Sequence, residues 1–76
     1  MDWDKIADAL RMDLYAEEVD WAYIHNTNSI NFFIWRSGII ICKIPFSYDD
    51  KDVYTSSQVV NQVVDMFRAA YGRLGV

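Results

Sequence analysis

Little in this sequence punctuates the chain. Proline occurs once, at Pro45, and glycine three times in 76 residues, with no low-complexity stretch or internal repeat. Without linker composition there is no place for a domain boundary, so residues 1–76 are read as one small domain. Cysteine and histidine are scarcer still. A lone Cys42 excludes an internal disulfide, and one cysteine with one histidine, His25, cannot make a structural zinc site. Cys42 lies among isoleucines, where desolvation disfavours the thiolate, so it is read as a buried structural residue rather than a nucleophile.

The motifs that carry chemistry are also missing. There is no G-x-G-x-x-G, Walker A loop, C-x-x-C or G-x-S-x-G in the sequence. His25 has no nucleophile or orienting acid placed beside it by sequence, which leaves it a surface histidine. Asp49-Asp50-Lys51-Asp52 lacks the glycine and terminal glutamate of a calcium loop and reads as a solvated turn. Asp4 and Asp8 lie one helical turn apart, but Lys5 and Arg11 flank them, as on an ordinary charged helix exterior. The expectation is a protein that is not an enzyme and uses no cofactor or metal.

Positive charge is in deficit: seven Lys and Arg against eleven Asp and Glu give a net charge of −4 and a pI near 4.6. Phosphate-backbone affinity comes from cations that displace condensed counterions, so the composition argues against nucleic acid as a partner. Seven of the eleven acids fall in the first twenty positions, at Asp2, Asp4, Asp8, Asp13, Glu17, Glu18 and Asp20. Long apolar runs are lacking as well. Residues 30–46 are interrupted by Arg36, Ser37, Gly38 and Lys43, which argues against a membrane span. The opening Met1-Asp2-Trp3-Asp4 has no basic-then-apolar signal pattern; with the unpaired cysteine, this gives the expectation of a cytoplasmic protein.

What the sequence has in quantity is apolar surface, with 53% hydrophobic and 16% aromatic residues. Asp2 is a candidate N-cap for a first helix running to about Tyr15, with Trp3, Ile6, Ala7, Leu10 and Leu14 on one stripe. The period then changes. Residues 19–25 alternate, Asn26-Thr27-Asn28-Ser29 is turn chemistry, and 30–35 is β-branched and aromatic. Arg36-Ser37-Gly38 forms a second short turn, and a third strand over 39–44 is expected to stop at Pro45. Turns this short allow only antiparallel pairing. Thr55-Ser56-Ser57-Gln58 reads as a capping box, with Tyr54 and Val59 at the hydrophobic-staple positions. The second helix runs from there to about Tyr71, with Gly72 as its C-terminal stop and Leu74 continuing its apolar face. The expected fold class is α+β in the order α-β-β-β-α, a three-stranded antiparallel meander with two helices packed on one face.

Asn31 and Lys43 are taken as markers of the outward side of this sheet. The core face then holds Ala22, Ile24, Ile30, Phe32, Ile34, Ile40, Cys42 and Ile44. The opposite face carries Trp21, Tyr23, His25, Phe33, Trp35, Ile39 and Ile41. Two helices at ordinary spacing cover about the width of three strands, so one face suffices for both. One helix on each face is the alternative. In the first arrangement Trp21, Tyr23, Phe33 and Trp35 form an exposed aromatic patch of the kind that marks an interface.

The order α-β-β-β-α resembles the layout of double-stranded-RNA-binding domains in topology alone. Those domains carry a lysine cluster at the start of their second helix, where this chain has the uncharged Thr55-Ser56-Ser57-Gln58. The leading expectation is a small acidic protein-interaction module, an accessory or inhibitor protein. It would dock to a larger partner through Trp21, Tyr23, Phe33 and Trp35, with Asp4 and Asp8 on the acidic first helix as a secondary contact. Two alternatives stand beside it: a structural homodimer whose aromatic face is the subunit contact, and a nucleic-acid-binding domain of double-stranded-RNA-binding-like topology.

Overall fold

The computed structural model of the protein describes residues 2–47 and 54–71. It follows the expected order: helix α1 (Trp3–Asp13), strands β1 (Glu18–Ile24), β2 (Ser29–Arg36) and β3 (Ile39–Ser47), and helix α2 (Ser56–Tyr71). Both strand pairs are antiparallel and the sheet order is β1-β2-β3. Gly72, Leu74 and the Asp49–Asp52 loop lie outside the described residues.

Helix α1 starts where its cap predicts. The Asp2 carboxylate accepts from the Lys5 N–H at 3.2 Å, satisfying one of the free donors of the first turn. Ile6, Ala7 and Leu10 form its buried stripe. The helix closes two residues before Tyr15, and the backbone gives the reason. Ala16 N–H donates to Arg11 O at 3.0 Å and Tyr15 N–H to Met12 O at 3.4 Å, the paired bonds of a Schellman motif. Tyr15 occupies its left-handed position, with φ of 54°.

The first hairpin turns through a short 3-10 segment, His25–Thr27, and a left-handed Asn28 with φ of 47°. Asparagine tolerates that conformation, and here its side-chain Oδ1 also accepts from the Tyr23 hydroxyl at 2.6 Å. The second hairpin needs only Ser37 and Gly38, with φ of 57° and 77°, the positive pair that matches the twist of two-residue turns.

Strand β3 does not stop at Pro45; it continues to Ser47. On an edge strand only alternate N–H groups face the neighbour, so a proline opposite Asn31 is tolerated. The extension places Phe46 opposite Ile30, where it is one of the largest fully buried side chains. Register slips between Ile34 and Trp35, which pair with Cys42 and Ile40, leaving Ile41 as the extra residue of a bulge.

The capping box of α2 forms in both directions. Gln58 N–H donates to the Thr55 hydroxyl at 3.2 Å, and Thr55 N–H donates to Gln58 Oε1 at 2.8 Å. Val59, Val60, Val63 and Val64 are all buried, so packing outweighs the low helix propensity of valine. Tyr54 meets Phe46 edge-on, with ring centroids 5.5 Å apart.

Both helices pack on one side of the sheet. A single buried cluster joins Ile6, Leu10, Val59 and Val63 to Val19, Phe32, Ile34, Ile44 and Phe46. The pairs Val19↔Ile34, Trp21↔Phe32 and Tyr23↔Ile30 put the odd-numbered residues of β1 on this core side. Strand β1 is therefore phased opposite to the sequence expectation. Ala22 and Ile24 face the open side, and Trp21 and Tyr23 belong with the core. Ile40 also changes side, because the bulge sets it beside Trp35.

Candidate functional site

The four aromatics expected on one sheet face are divided by the fold, and Asp4 and Asp8, the expected secondary contact, lie on α1. Trp21 lies over the core margin, its ring 6.4 Å from that of Trp3, and its indole N–H donates to Asp4 Oδ1 at 2.8 Å. This bond staples β1 to α1. Tyr23 is at the rim of the core side, 47% exposed, edge-on to His25 and bonded to Asn28. His25 stands in the hairpin turn, outside the sheet. Asp8 is on an exposed flank of α1, 3.6 Å from Arg11. Only Phe33 and Trp35 remain together on the open face.

That open face can be read row by row from the register. Glu18, Trp35 and Ile40 form one row, Asp20, Phe33 and Lys43 the next, and Ala22, Asn31 and Pro45 the third. The Trp35 indole N–H donates to Asp20 Oδ2 at 2.8 Å, which fixes the ring across β1. None of Ala22, Phe33 or Trp35 packs against the buried cluster, and no described element covers them. Ile40 is 47% exposed beside them, and Ile39 at the turn is 61% exposed. An apolar centre with charged residues on both edge strands has the layout of a contact surface.

The sequence held a signal for this arrangement. Glu18 and Asp20 share the parity of Ala22 and Ile24; taken as outward markers, they phase β1 as it folds. The bulge that turns Ile40 outward leaves no comparable trace in composition.

A second feature lies between α1 and the free edge of β1. A groove of about 620 Å³ runs there, its walls carrying Asp4, Asp8, Glu17, Glu18 and Asp20, with Arg11 the single cation. Among the described residues no group of three or more His, Cys, Asp or Glu is arranged to hold a metal ion. No helix among them is long and apolar enough to cross a membrane. The start of α2, where a double-stranded-RNA reader has lysines, presents exposed Ser56, Ser57 and Gln58. Burial of Cys42 on the core side of β3 pushes its thiol pKa up, away from nucleophilic use. Comparison with protein-family models, curated proteins and solved structures finds no match to this chain.

Proposed function

We propose that the protein is a non-enzymatic interaction module that docks to a protein partner through the open face of its sheet, centred on Phe33, Trp35 and Ile40. The observation that carries this reading is the one-sided core. Two helices close one face and leave the other with an aromatic centre that no described element covers. Trp35, held by Asp20, loses little side-chain freedom on binding, which favours it as an anchor. Asp4 and Asp8 lie on α1, on the other side of the sheet, and stay apart from this surface as a secondary contact.

The same face could serve a homodimer, and one observation favours keeping that reading. Asp20 and Lys43 stand in one row on either side of Phe33. A two-fold axis along β2 would set each Asp20 over the partner copy's Lys43.

Placing a photo-crosslinking phenylalanine analogue at Phe33, with Gln62 on the outer side of α2 as the control, tests the proposal. Docking predicts an adduct from position 33 alone, abolished by Ile40→Glu. An adduct at twice the chain mass would assign the face to the homodimer. Equal labelling from both positions, or none from either, rules out the open face.

A further inference from the structure

The two edges of the sheet are finished differently. Strand β3 carries three devices that keep edges from pairing: a bulge at Ile41, a proline at Pro45, and an outward Lys43. The Tyr71 hydroxyl also donates to the Ile41 carbonyl, covering part of the edge from α2. Strand β1 has neither bulge nor proline, and its outward charges, Glu18 and Asp20, are acidic. Its seven residues pair with β2 in unbroken register, and they contain no proline, glycine or bulge. Among the described residues, no backbone hydrogen bond to β1 comes from any element other than β2. An edge strand turns alternate N–H and C=O groups outward, so β1 offers a free ladder along the floor of the α1/β1 groove.

We infer that this groove accepts an extended basic segment of a partner protein, added to the sheet as a fourth strand beside β1. The residues around the edge select the occupant. A second copy pairing β1 with β1 would bring together two edges that each carry Glu18 and Asp20 and no lysine or arginine, so neither would offer a cation to the other's carboxylates. A basic strand meets the opposite condition. Its residues on the open-face side lie next to Glu18 and Asp20, while those on the other side face the α1 wall of the groove, whose carboxylates Asp4 and Asp8 add to its negative charge. Lysine or arginine at every second position thus faces carboxylates, and the residues between them pass Ala7 and Val19, which favours apolar side chains there. The four β1 residues that line the groove, 18–21, correspond to about 13 Å of extended chain. Backbone bonds supply the affinity of such strand addition, and the alternating pockets supply its specificity.

This inference is independent of the open-face proposal, because it concerns the edge and the groove. The test titrates the full ¹⁵N-labelled chain with an octapeptide of alternating lysine and valine, blocked at both ends. Two further versions are N-methylated at all lysines or at all valines, keeping the charge but removing one set of alternate donors. Strand addition predicts shift changes and slowed amide exchange along residues 18–24, and a loss of affinity of about tenfold or more for one methylated version but not the other. Glu18→Lys and Asp8→Lys, both at exposed positions, should each weaken the parent peptide about tenfold, with unchanged circular dichroism showing that the fold is intact. Ile40→Glu should leave peptide binding unchanged even where it abolishes docking at the open face. Equal binding by all three peptides would reveal charge attraction without strand addition. That result, shift changes centred on Phe33 and Trp35, or no binding at low salt would each overturn the inference.

Discussion

The guanidinium of Arg36 donates to the carbonyl of Leu14 at 2.7 Å and to that of Tyr15 at 3.4 Å, so the last residue of β2 caps the C-terminal end of α1. The contact is reciprocal across the corner. Glu17, just past the helix, accepts from the Gly38 N–H at 2.9 Å and steadies the turn that follows Arg36. A cation at this end also meets the negative pole of the helix dipole. Arg36→Met keeps the aliphatic stem and removes the donors, and should cost about 1–2 kcal/mol. Arg36→Lys should recover part of that loss. Urea unfolding followed by circular dichroism checks both, with an unchanged denaturant slope expected.

Tyr15 sits at the position where helices most often place glycine. Its φ of 54° is costly for a residue with a Cβ, and at 87% exposure the ring buries almost nothing in return. Tyr15→Gly should therefore stabilise the protein by about 0.5–1 kcal/mol, after the greater freedom of glycine in the unfolded chain is allowed for. Tyr15→Ala keeps the steric cost and should give no comparable gain. A thermal melt of the three proteins distinguishes these outcomes.

Thr55 and Gln58 satisfy each other's backbone donors, which makes their contributions interdependent. Thr55→Ala should cost about 1 kcal/mol and Gln58→Ala a similar or smaller amount. The double variant should cost less than the sum, because losing either bond loosens the shared turn and so weakens the other. A double-mutant cycle in urea measures the coupling, and strict additivity would mean that the box contributes no cooperative stabilisation.

The capping box was readable because its chemistry is local: two side chains three residues apart serve one helix start. The same holds for Asp2, for the two hairpin turns and for the α-β-β-β-α order. The parity of β1 is harder to read. Val19, Trp21 and Tyr23 on one side and Ala22 and Ile24 on the other are both apolar sets, so the apolar residues do not choose between them; only Glu18 and Asp20 do, as outward markers. Asn31 and Lys43 phase β2 and β3 but carry no information about β1 without its register. Pro45 misled for a related reason: a missing N–H ends a central strand, yet costs little on an edge where that position faces away from the neighbour. Of the candidate site, Phe33 and Trp35 were legible, while Trp21 and Tyr23 were assigned to the wrong face by that one-residue ambiguity.

Phe33 and Phe46 provide a direct check of which side is core. Phe46 is 2% exposed and shares its environment with Trp3, 6.4 Å away, and Tyr54. Phe46→Ala should cost about 3–5 kcal/mol, most of the stability a domain of this size holds. Phe33 lies on the open face among Asp20, Asn31 and Lys43, and Phe33→Ala should cost only about 1 kcal/mol, the worth of its cross-strand pairs. Comparable losses from the two substitutions would mean that the open face is covered.

Cys42 gives a pH-dependent prediction with a definite sign. Burial on the core side of β3 raises its thiol pKa above the ordinary value of 9.0, so the folded protein holds this proton more tightly than the unfolded chain does. The associated stability is fully present below the unfolded pKa. It falls as pH rises from there through the folded pKa, because the unfolded chain ionises first. The unfolding midpoint in urea should accordingly decline on the alkaline side of about pH 9, and Cys42→Ser or Cys42→Ala should remove that component of the decline. Alanine at this site also loses packing against Ile34, its partner in β2, so the slope against pH, and not the absolute stability, is the quantity to compare. Alkylation offers an independent readout. At neutral pH iodoacetamide should modify the folded protein at least about tenfold more slowly than the chain in urea, since the thiol is both buried and held protonated. Rapid modification of the folded protein would place Cys42 outside the core and remove the basis for the pH effect.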